Sequence, residues 1–214
     1  MGIRKDAGMY KVGKRVLDVL LAVILLVVLL PLMIVVAVLV KIDSPGPVLF
    51  RQRRVGRSGK VFEIWKFRSM AVGNDVRDAS CENRCTRVGR VIRRLSVDEL
   101  PQLFNVLVGQ MSFVGPRPWI EEYWENMNER QRGRAAVRPG ITGLAQVMGR
   151  NGLTVFQKIE YDLVYVEKFS LWQDVKVVGR TVVMVVTGKG ADAAKEGVLD
   201  DIAELAKSRR AARV

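Results

Sequence analysis

Two adjacent acids stand in the stretch LSVDELPQL, where Asp98 and Glu99 are followed by Pro101. Paired carboxylates are able to supply a nucleophile, a proton acceptor or the ligands of a metal ion. The same stretch also fits an ordinary helix start, because Ser96 and Glu99 have the spacing of a capping box. Acids in a first turn suit the helix dipole as well. The stretch by itself therefore leaves both a structural and a chemical interpretation open.

Arginines accompany this acidic pair along the chain: Arg93 and Arg94 precede it and Arg117 follows it. Pro116 and Pro118 restrict the backbone on both sides of Arg117. A guanidinium with a fixed direction suits bidentate capture of a phosphate, although a rigid surface turn explains the Pro-Arg-Pro equally well. Four more residues are candidate substrate contacts, with surface solvation or lipid binding as the alternative: Lys66, Arg68, Gln146 and Arg150.

Composition narrows the chemistry further. The chain of 214 residues contains no histidine, which excludes Ser-His-Asp and Cys-His catalysis and histidine-ligated zinc. Two cysteines, Cys81 and Cys85, are too few for a four-cysteine zinc site, and we interpret them as reduced cytosolic thiols. The net charge of +13 indicates an acidic partner, either nucleic acid, an anionic membrane or a phosphorylated substrate.

An uncharged segment of about 22 residues, Val19–Val40, is long enough as a helix of roughly 33 Å to cross a bilayer. Basic residues lie on both sides of it, and positive charge prefers the cytoplasmic side of a membrane. A helix that enters the bilayer, bends at Pro31 and returns satisfies both flanks. A single crossing that tolerates the proline is the alternative.

The remaining pattern predicts an α+β fold that is mostly α-helical. A β-hairpin is expected around the Gly56–Gly59 turn, and helical spacing is expected to begin near Leu100 and to end at Gly109. Further helices are predicted over 118–134, 155–168 and 170–188. The last of these is expected as an amphipathic interfacial helix on the membrane, with a buried core helix as the alternative and, because the segment is rich in valine, a strand as a further one.

Three regions follow from this reading of the chain. We expect residues 1–43 to form an N-terminal membrane anchor, residues 44–188 to form a cytosolic domain that carries the candidate catalytic residues, and residues 189–214 to form a tail. The tail is rich in Ala, Lys, Glu and Arg, so we expect an exposed helix or a partly disordered extension.

Several motifs in series resemble those of the bacterial sugar transferase family, the monotopic phosphoglycosyl transferases. The motifs span residues 14 to 188 in the family's order: KRVLDV, DSPGPVLFRQRRVG, WKFRSM, LSVDELPQLFNVLVGQMSFVGPRP and RPGITGLAQVMGRN. The resemblance implies that the N-terminal helix is re-entrant. The family's break is typically Ser-Pro, whereas this chain has Leu30-Pro31.

The resemblance also implies a reaction. A sugar 1-phosphate moves from a nucleoside diphosphate sugar, usually a UDP-sugar, to polyprenyl (undecaprenyl) phosphate, and UMP is released. The family's magnesium-dependent Asp-Glu pair maps onto Asp98 and Glu99, and the resemblance implies a covalent phosphosugar on Asp98, with direct transfer as the alternative. Both acids are candidate ligands of Mg²⁺, and Glu99 is a candidate metal ligand, a base toward the acceptor, or both. The implied location is the bacterial inner (cytoplasmic) membrane, with the catalytic domain on its cytoplasmic face.

A different class of function remains as the alternative: a membrane-anchored basic scaffold that binds anionic lipid or nucleic acid. Nucleic acid is the less economical partner, because no helix-turn-helix, zinc-finger or RRM signature is recognisable. Basic residues beside an apolar helix favour membrane lipid instead. Whether the chain forms a homo-oligomer is left open by the sequence.

Overall fold

A computed structural model of the protein describes residues 7–73, 85–149, 152–187 and 198–211. The fold is α+β and mostly helical, as predicted. The helices are α1 (Ala7–Asp43), α2 (Arg87–Arg94), α3 (Gln102–Leu107), α4 (Glu121–Asn126), α5 (Glu129–Arg132), α6 (Leu144–Met148), α7 (Val155–Glu167), α8 (Leu171–Thr187) and α9 (Val198–Ala211). The strands are β1 (Leu49–Val55), β2 (Val61–Phe67), β3 (Ser112–Val114) and β4 (Gly140–Thr142).

Helix α1 has 37 residues, about 55 Å of α-helix, and it continues without interruption through Pro31. One stripe of the helix packs against the rest of the protein along most of its length. Ala22 is fully buried against Phe62 and Met111. Farther along, Val36 and Val40 pack against a second cluster that contains Phe67. Both flanks of the apolar segment therefore contact the same globular body.

The other faces of α1 are apolar and exposed, with Val27 69% and Val28 65% accessible. Within the described residues, Tyr10–Asp43 is the helix that is long and apolar enough to cross a membrane. An exposed surface of this kind is unfavourable in water. The protein is therefore expected to keep this surface in lipid.

The predicted hairpin is confirmed. Strands β1 and β2 pair antiparallel, with Leu49 opposite Phe67 and Val55 opposite Val61. The turn between them contains Ser58 and Gly59 at positive φ values of 56° and 78°, a backbone region that glycine occupies at little cost. Phe62 and Ile64 are buried and lie on the same face of β2, where they pack against Ala22 of α1.

A second, parallel pair consists of β3 and β4, with Ser112 opposite Gly140 and Val114 opposite Thr142. The backbones approach very closely beyond this pair. A Cβ atom on Gly140 would lie 2.1 Å from Gly115 N, and one on Gly143 would lie 2.3 Å from Gly115 O. These positions accept no side chain, which explains the glycines of the RPGITG stretch.

The region predicted as one helix over 118–134 is divided into α4, α5 and a 3₁₀ turn at Gly133–Ala136. The break follows from Asn128, whose side chain caps α5 in a capping box with Gln131. The helix predicted over 155–168 is confirmed as α7, and a capping box formed by Thr154 and Gln157 begins it.

The C-terminal tail is helical over 198–211, but the expectation that it is exposed is wrong. Leu205 is fully buried in a cluster with Tyr123, Met127 and Ile159. The Tyr123 hydroxyl donates to Asp201 Oδ2 at 2.8 Å. Helix α9 is therefore packed on α4 and α7.

Helix α8 confirms the prediction of a helix over 170–188. Val177 and Asp174 are buried, whereas Trp172 and Val182 are exposed. Asp174 anchors the first turn, because Tyr10 and Tyr165 donate to it at 2.7 and 2.6 Å and Lys14 forms an ion pair with it. The helix thus has one buried face and one exposed apolar face, which is the amphipathic arrangement expected of an interfacial helix.

Cys85 is disulfide-bonded, so the expectation that it is a reduced thiol is wrong. Cys81, the other cysteine in the sequence, lies outside the described residues. Cysteine content therefore gives no support to a cytosolic location.

Candidate active site

Asp98 and Glu99 lie on a 3₁₀ turn, Val97–Glu99, between α2 and α3. The predicted capping box is wrong. Ser96 has the left-handed φ of 56° and its side chain makes no capping hydrogen bond, and Glu99 points instead toward two cations. The turn packs toward α1, because Val97 and Leu100 contact the hydrophobic cluster that includes Val36 and Val40.

The Glu99 carboxylate is bonded to two basic side chains through one oxygen. Lys66 Nζ donates to Glu99 Oε1 at 2.6 Å, and Arg117 Nη2 donates to the same atom at 2.9 Å. Burial favours the neutral acid, but Arg117 and Lys66 outweigh it and hold the pKa of Glu99 well below its usual range. Glu99 is therefore a fixed anion that ties the two cations together.

The Asp98 carboxylate is in a different situation, although it is 7% exposed and so even more buried as a residue than its neighbour. No hydrogen bond or ion pair to it occurs within the described residues. Burial raises the pKa of Asp98, and the opposing effects of Lys66 and Arg93 do not offset this. A desolvated carboxylate without a hydrogen-bond partner retains its lone pairs for reaction with an electrophile.

The side chain of Lys66 is positioned by the attachment of α3 to β2. Asn105 accepts from Trp65 N at 3.1 Å and donates to Glu63 O at 2.7 Å. Asn105 is buried, and sequence reasoning did not single it out. Because Asn105 binds the backbone of β2 on both sides of residue 64, it fixes the position of Lys66 beside the acidic turn.

Arg117 is held from behind by buried groups, as the flanking prolines suggested. Pro116 and Pro118 are both buried, and Pro116 O accepts from Gly140 N at 3.0 Å. Arg134 Nη2 donates to Arg117 O at 2.7 Å. The Arg117 side chain is 43% exposed, so it is directed from a rigid backbone toward an accessible opening.

Arg134 is itself fixed by an ion pair and an aromatic ring. Its Nε and Nη2 atoms donate to Asp162 Oδ2 at 2.9 and 2.5 Å, and its guanidinium carbon lies 4.2 Å from the centre of the Trp119 ring. Both members of the pair are buried. The pair therefore acts as a support for the Pro-Arg-Pro backbone.

Comparison with known proteins identifies the family of the chain. A profile of the family described as bacterial sugar transferase matches residues 9–188. The chain belongs to the bacterial sugar transferase family. Every residue of the acidic turn and of the Pro-Arg-Pro segment falls inside the matched range.

Curated relatives carry similar names. The chain is 44% identical over 201 residues to a UDP-N-acetylgalactosamine-undecaprenyl-phosphate N-acetylgalactosaminephosphotransferase of Aeromonas hydrophila, covering 89% of this chain and 48% of that protein. It is 45% identical over 190 residues to a UDP-glucose:undecaprenyl-phosphate glucose-1-phosphate transferase of Caulobacter vibrioides, covering 83% of this chain and 71% of that protein. It is 41% identical to the uncharacterized sugar transferase EpsL of Bacillus subtilis, covering 83% and 89%.

Length differs among these relatives of the sugar transferase family. The chain spans about half the length of the Aeromonas protein and 42% of a Xanthomonas campestris UDP-glucose:undecaprenyl-phosphate glucose-1-phosphate transferase. The part that all of them share with this chain includes the acidic turn.

The two arginines before the acidic turn of this sugar transferase have different environments. Arg93 is close enough to Asp98 to lower the pKa of its carboxyl, and it is half-buried. Arg94 is exposed and is not among the groups that shift the pKa of either acid. The structure therefore brings Arg93, but not Arg94, toward the pair.

Arg54 is a basic residue of the site that sequence reasoning missed. Its Nη1 donates to Pro118 O at 3.3 Å, and its Nε is buried without a partner within the described residues. Burial and the neighbouring Arg117 lower the pKa of Arg54 to about 10. The strand alternation of β1 was the available signal, because it places one of the adjacent residues Arg53 and Arg54 inward.

Two predicted substrate contacts, Arg68 and Gln146, are not part of this arrangement, and a third, Arg150, cannot be placed. Arg68 is a correction, since its buried guanidinium donates to the carbonyls of Pro45, at 2.8 Å, and Ser44, at 2.6 Å, and so closes the end of α1. Gln146 donates to Ile141 O at 2.9 Å within its own segment. Arg150 lies outside the described residues.

The donor set determines which metal ion the site suits. Within the described residues, no group of three or more His, Cys, Asp or Glu side chains is clustered to hold a metal. Mg²⁺ does not require such a cage, because it is commonly bound by one or two carboxylates together with substrate phosphates and waters. The open Asp98 carboxylate and the second oxygen of Glu99 fit this mode of binding.

Proposed function

We propose that this protein is a phosphoglycosyl transferase that moves a sugar 1-phosphate from a UDP-sugar to undecaprenyl phosphate and releases UMP. The observation that carries the proposal is the buried Asp98 carboxylate, which has no hydrogen bond or ion pair among the residues that the structure describes, beside a Glu99 that binds both Lys66 and Arg117. The names of the curated relatives support the substrate classes.

In the first step, an Asp98 carboxylate oxygen attacks the phosphorus that carries the sugar. A phosphorus–oxygen bond to Asp98 forms and the bond to the UMP oxygen breaks, so that the phosphosugar becomes an acyl phosphate on the protein. The electron pair of the broken bond leaves with UMP. Arg117 and Lys66 lie where they reduce the repulsion between the nucleophile and the anionic diphosphate.

In the second step, a phosphate oxygen of the polyprenyl acceptor attacks the same phosphorus. The bond to Asp98 breaks and the carboxylate is regenerated. Because a phosphate monoester has a second pKa near about 6 and is largely ionised at neutral pH, this step needs no strong general base. A chain without histidine is consistent with such chemistry.

Mg²⁺, when bound, would supply charge neutralisation at the diphosphate. Asp98 and Glu99 would hold it. Glu99 is suited to bind Mg²⁺ as well as the two cations, because Lys66 and Arg117 occupy only its Oε1 atom. Its depressed pKa also keeps the carboxylate ionised.

We also propose that α1 is re-entrant in the bacterial inner membrane, with the catalytic domain on the cytoplasmic face. The support comes from packing: Arg15 contacts the carbonyls of α3 before the apolar segment, and Lys41 donates to Gly46 O after it. A helix that simply crossed the bilayer would separate these two flanks, whereas here both meet the same body.

The decisive experiment measures UMP release from a panel of UDP-sugars with undecaprenyl phosphate. We expect the wild-type chain to release UMP with at least one sugar, and Asp98→Asn to release none while it still fractionates with membranes. Mass spectrometry of wild-type protein incubated with donor alone should detect a phosphosugar on Asp98. Normal turnover by Asp98→Asn would overturn the assignment.

A failure of wild-type protein to release UMP from any donor would favour the basic scaffold instead. Topology needs its own experiment, because catalysis does not report it. In a background with serine at positions 81 and 85, Gly8→Cys and Lys60→Cys should react with a membrane-impermeant reagent from the same side. Reaction from opposite sides would contradict re-entry.

A further inference from the structure

A small cavity that none of the Glu99-bonded residues lines lies at the N-terminal flank of α1, and it is partly open at the surface. The acidic turn precedes α3, whereas the cavity is next to the other end of α3, where Arg15 contacts the last carbonyls. Five basic residues and one acidic residue line it: Lys11, Lys14, Arg15, Arg57, Arg138 and Asp18.

Two of these basic side chains already bind other groups of the protein. Lys14 forms an ion pair with Asp174. Arg15 donates to Val106 O at 2.6 Å and to Leu107 O at 2.9 Å, and both acceptors are neutral carbonyls. Over the part of the chain that the structure describes, the Arg15 guanidinium therefore has no carboxylate partner.

The side chains of the other three basic residues make fewer contacts with the rest of the protein. Arg138 donates through Nε to Gly109 O at 2.9 Å, which leaves its two Nη atoms for another acceptor. Lys11 and Arg57 make no hydrogen bond or ion pair within the described residues. Burial, Arg15 and Arg57 lower the pKa of Arg138, and the nearby Asp18 carboxylate does not offset them, as expected where cations outnumber carboxylates.

An uncharged group in the cavity also lacks a partner. Ser112 is 1% exposed, and its Oγ is buried without a hydrogen-bond partner within the described residues. Buried hydroxyl groups are nearly always satisfied. Ser112 lines the cavity, so an acceptor placed there would satisfy this hydroxyl and the free guanidinium nitrogens together.

We propose that this cavity binds a phosphate group. The apolar segment of α1 begins at Val19, directly after Asp18 of the cavity wall. In a membrane-inserted protein, the cavity therefore lies at the depth of lipid headgroups. The shared chemistry is that of a phosphate, carried by an anionic phospholipid or free in solution. The inference goes beyond the proposed transferase function, because no step of that reaction uses the cavity.

Two kinds of substitution test it in the full-length chain in neutral detergent. Ser112→Ala removes the hydroxyl without changing the charge, and the double variant Lys11→Gln with Arg57→Gln removes two free cations. The matched control removes two exposed cations elsewhere, Arg90→Gln on α2 with Lys207→Gln on α9. Calorimetry with inorganic phosphate gives one arm, and binding to phosphatidylcholine vesicles with or without phosphatidylglycerol gives the other.

We expect Ser112→Ala to weaken phosphate or phosphatidylglycerol binding about tenfold, as the loss of a hydrogen bond to a charged group would, while its Tm stays equal or rises. The double variant should lose at least as much, and the control far less. Binding in both arms identifies a lipid headgroup, and binding of inorganic phosphate alone identifies free phosphate.

Equal binding by Ser112→Ala and wild type, or equal losses by the double variant and its control, would overturn the proposal. UMP release in detergent by the double variant should stay within about twofold of wild type. The binding result therefore stands or falls independently of the transferase assignment.

Discussion

Asp98 and Glu99 are neighbours in the chain, but their carboxylates have opposite environments. Glu99 accepts two charged hydrogen bonds on one oxygen, whereas Asp98 accepts none within the described residues and is 7% exposed. One acid is therefore held ionised and the other is desolvated. This difference separates a carboxylate that organises cations from one that is free to react, and it leads to the following expectations.

Replacing Asp98 with Asn should stabilise the protein while abolishing turnover. The pKa of Asp98 is raised by burial, so its ionised form is unfavourable in the folded state and its contribution to stability falls as pH rises toward that pKa. At neutral pH we expect Asp98→Asn to unfold with a free energy higher by about 0.5–2 kcal/mol. Thermal unfolding in detergent measures this, and the difference should shrink as pH falls through the folded pKa and vanish only below the ordinary pKa of 3.8.

Replacing Glu99 with Gln should reduce both stability and activity. Lys66 and Arg117 would then face each other without an anion, and we expect a loss of about 1–3 kcal/mol in the free energy of unfolding and at least a hundredfold lower UMP release. The matched control is Glu63→Gln, whose partner Arg51 lies 4.0 Å away with both side chains more than half exposed. That variant should change stability by less than about 0.5 kcal/mol.

The low pKa of Glu99 adds a dependence on pH. The stability that Glu99 contributes is fully present above its ordinary pKa of 4.5 and is lost as pH falls toward the lower folded value. The destabilisation of Glu99→Gln relative to wild type should therefore shrink only in strongly acidic buffer. A difference that disappeared already near neutral pH would contradict the ion-pair interpretation.

Arg93 should influence the acid limb of the pH profile, the range in which kcat/KM falls as pH is lowered. The nucleophile must be ionised, so kcat/KM should fall as pH is lowered through the folded pKa of Asp98, which lies above its ordinary 3.8. Because Arg93 lowers that pKa, Arg93→Gln should move the limb to higher pH. Arg90→Gln, an exposed residue of the same helix, should leave the limb in place. An unchanged limb in Arg93→Gln would show that the arginine does not act on Asp98.

The docking of α9 is tested by Leu205→Ala. Leu205 is fully buried, and a truncation of this kind usually costs about 2–5 kcal/mol. The exposed Glu204→Ala, on the same turn, should be nearly neutral. Denaturant unfolding gives the free energies, and amide exchange in α4 should accelerate in the Leu205 variant alone. Equal free energies and equal exchange rates in the two variants would show that α9 is exposed and not docked.

Local patterns predicted the parts of the fold that local physics determines. The hairpin follows from strand alternation and a glycine turn, and α7 follows from apolar spacing and a capping residue. The capping box at Ser96 and Glu99 failed because two cations distant in sequence, 33 and 18 residues away from Glu99, bind that carboxylate more favourably than one backbone amide does.

Contacts with residues distant in sequence also explain the other differences between the predictions and the structure. Arg68 is basic and lies in a basic hairpin, but the unsatisfied carbonyls at the end of α1 attract its guanidinium. The polar composition of α9 concealed a single leucine and an aspartate that dock it. In each case a tertiary partner, absent from the local pattern, determined the outcome.

The packing of α1 beneath the acidic turn has a consequence for how the protein is made and handled. Val97 and Leu100, on either side of Asp98 and Glu99, pack against a hydrophobic cluster that includes Val36 and Val40 of the apolar helix. The helix expected to lie in lipid thus contributes part of the support of the acidic turn. We expect a soluble fragment that lacks α1 to lose this support and to hold Asp98 and Glu99 less precisely.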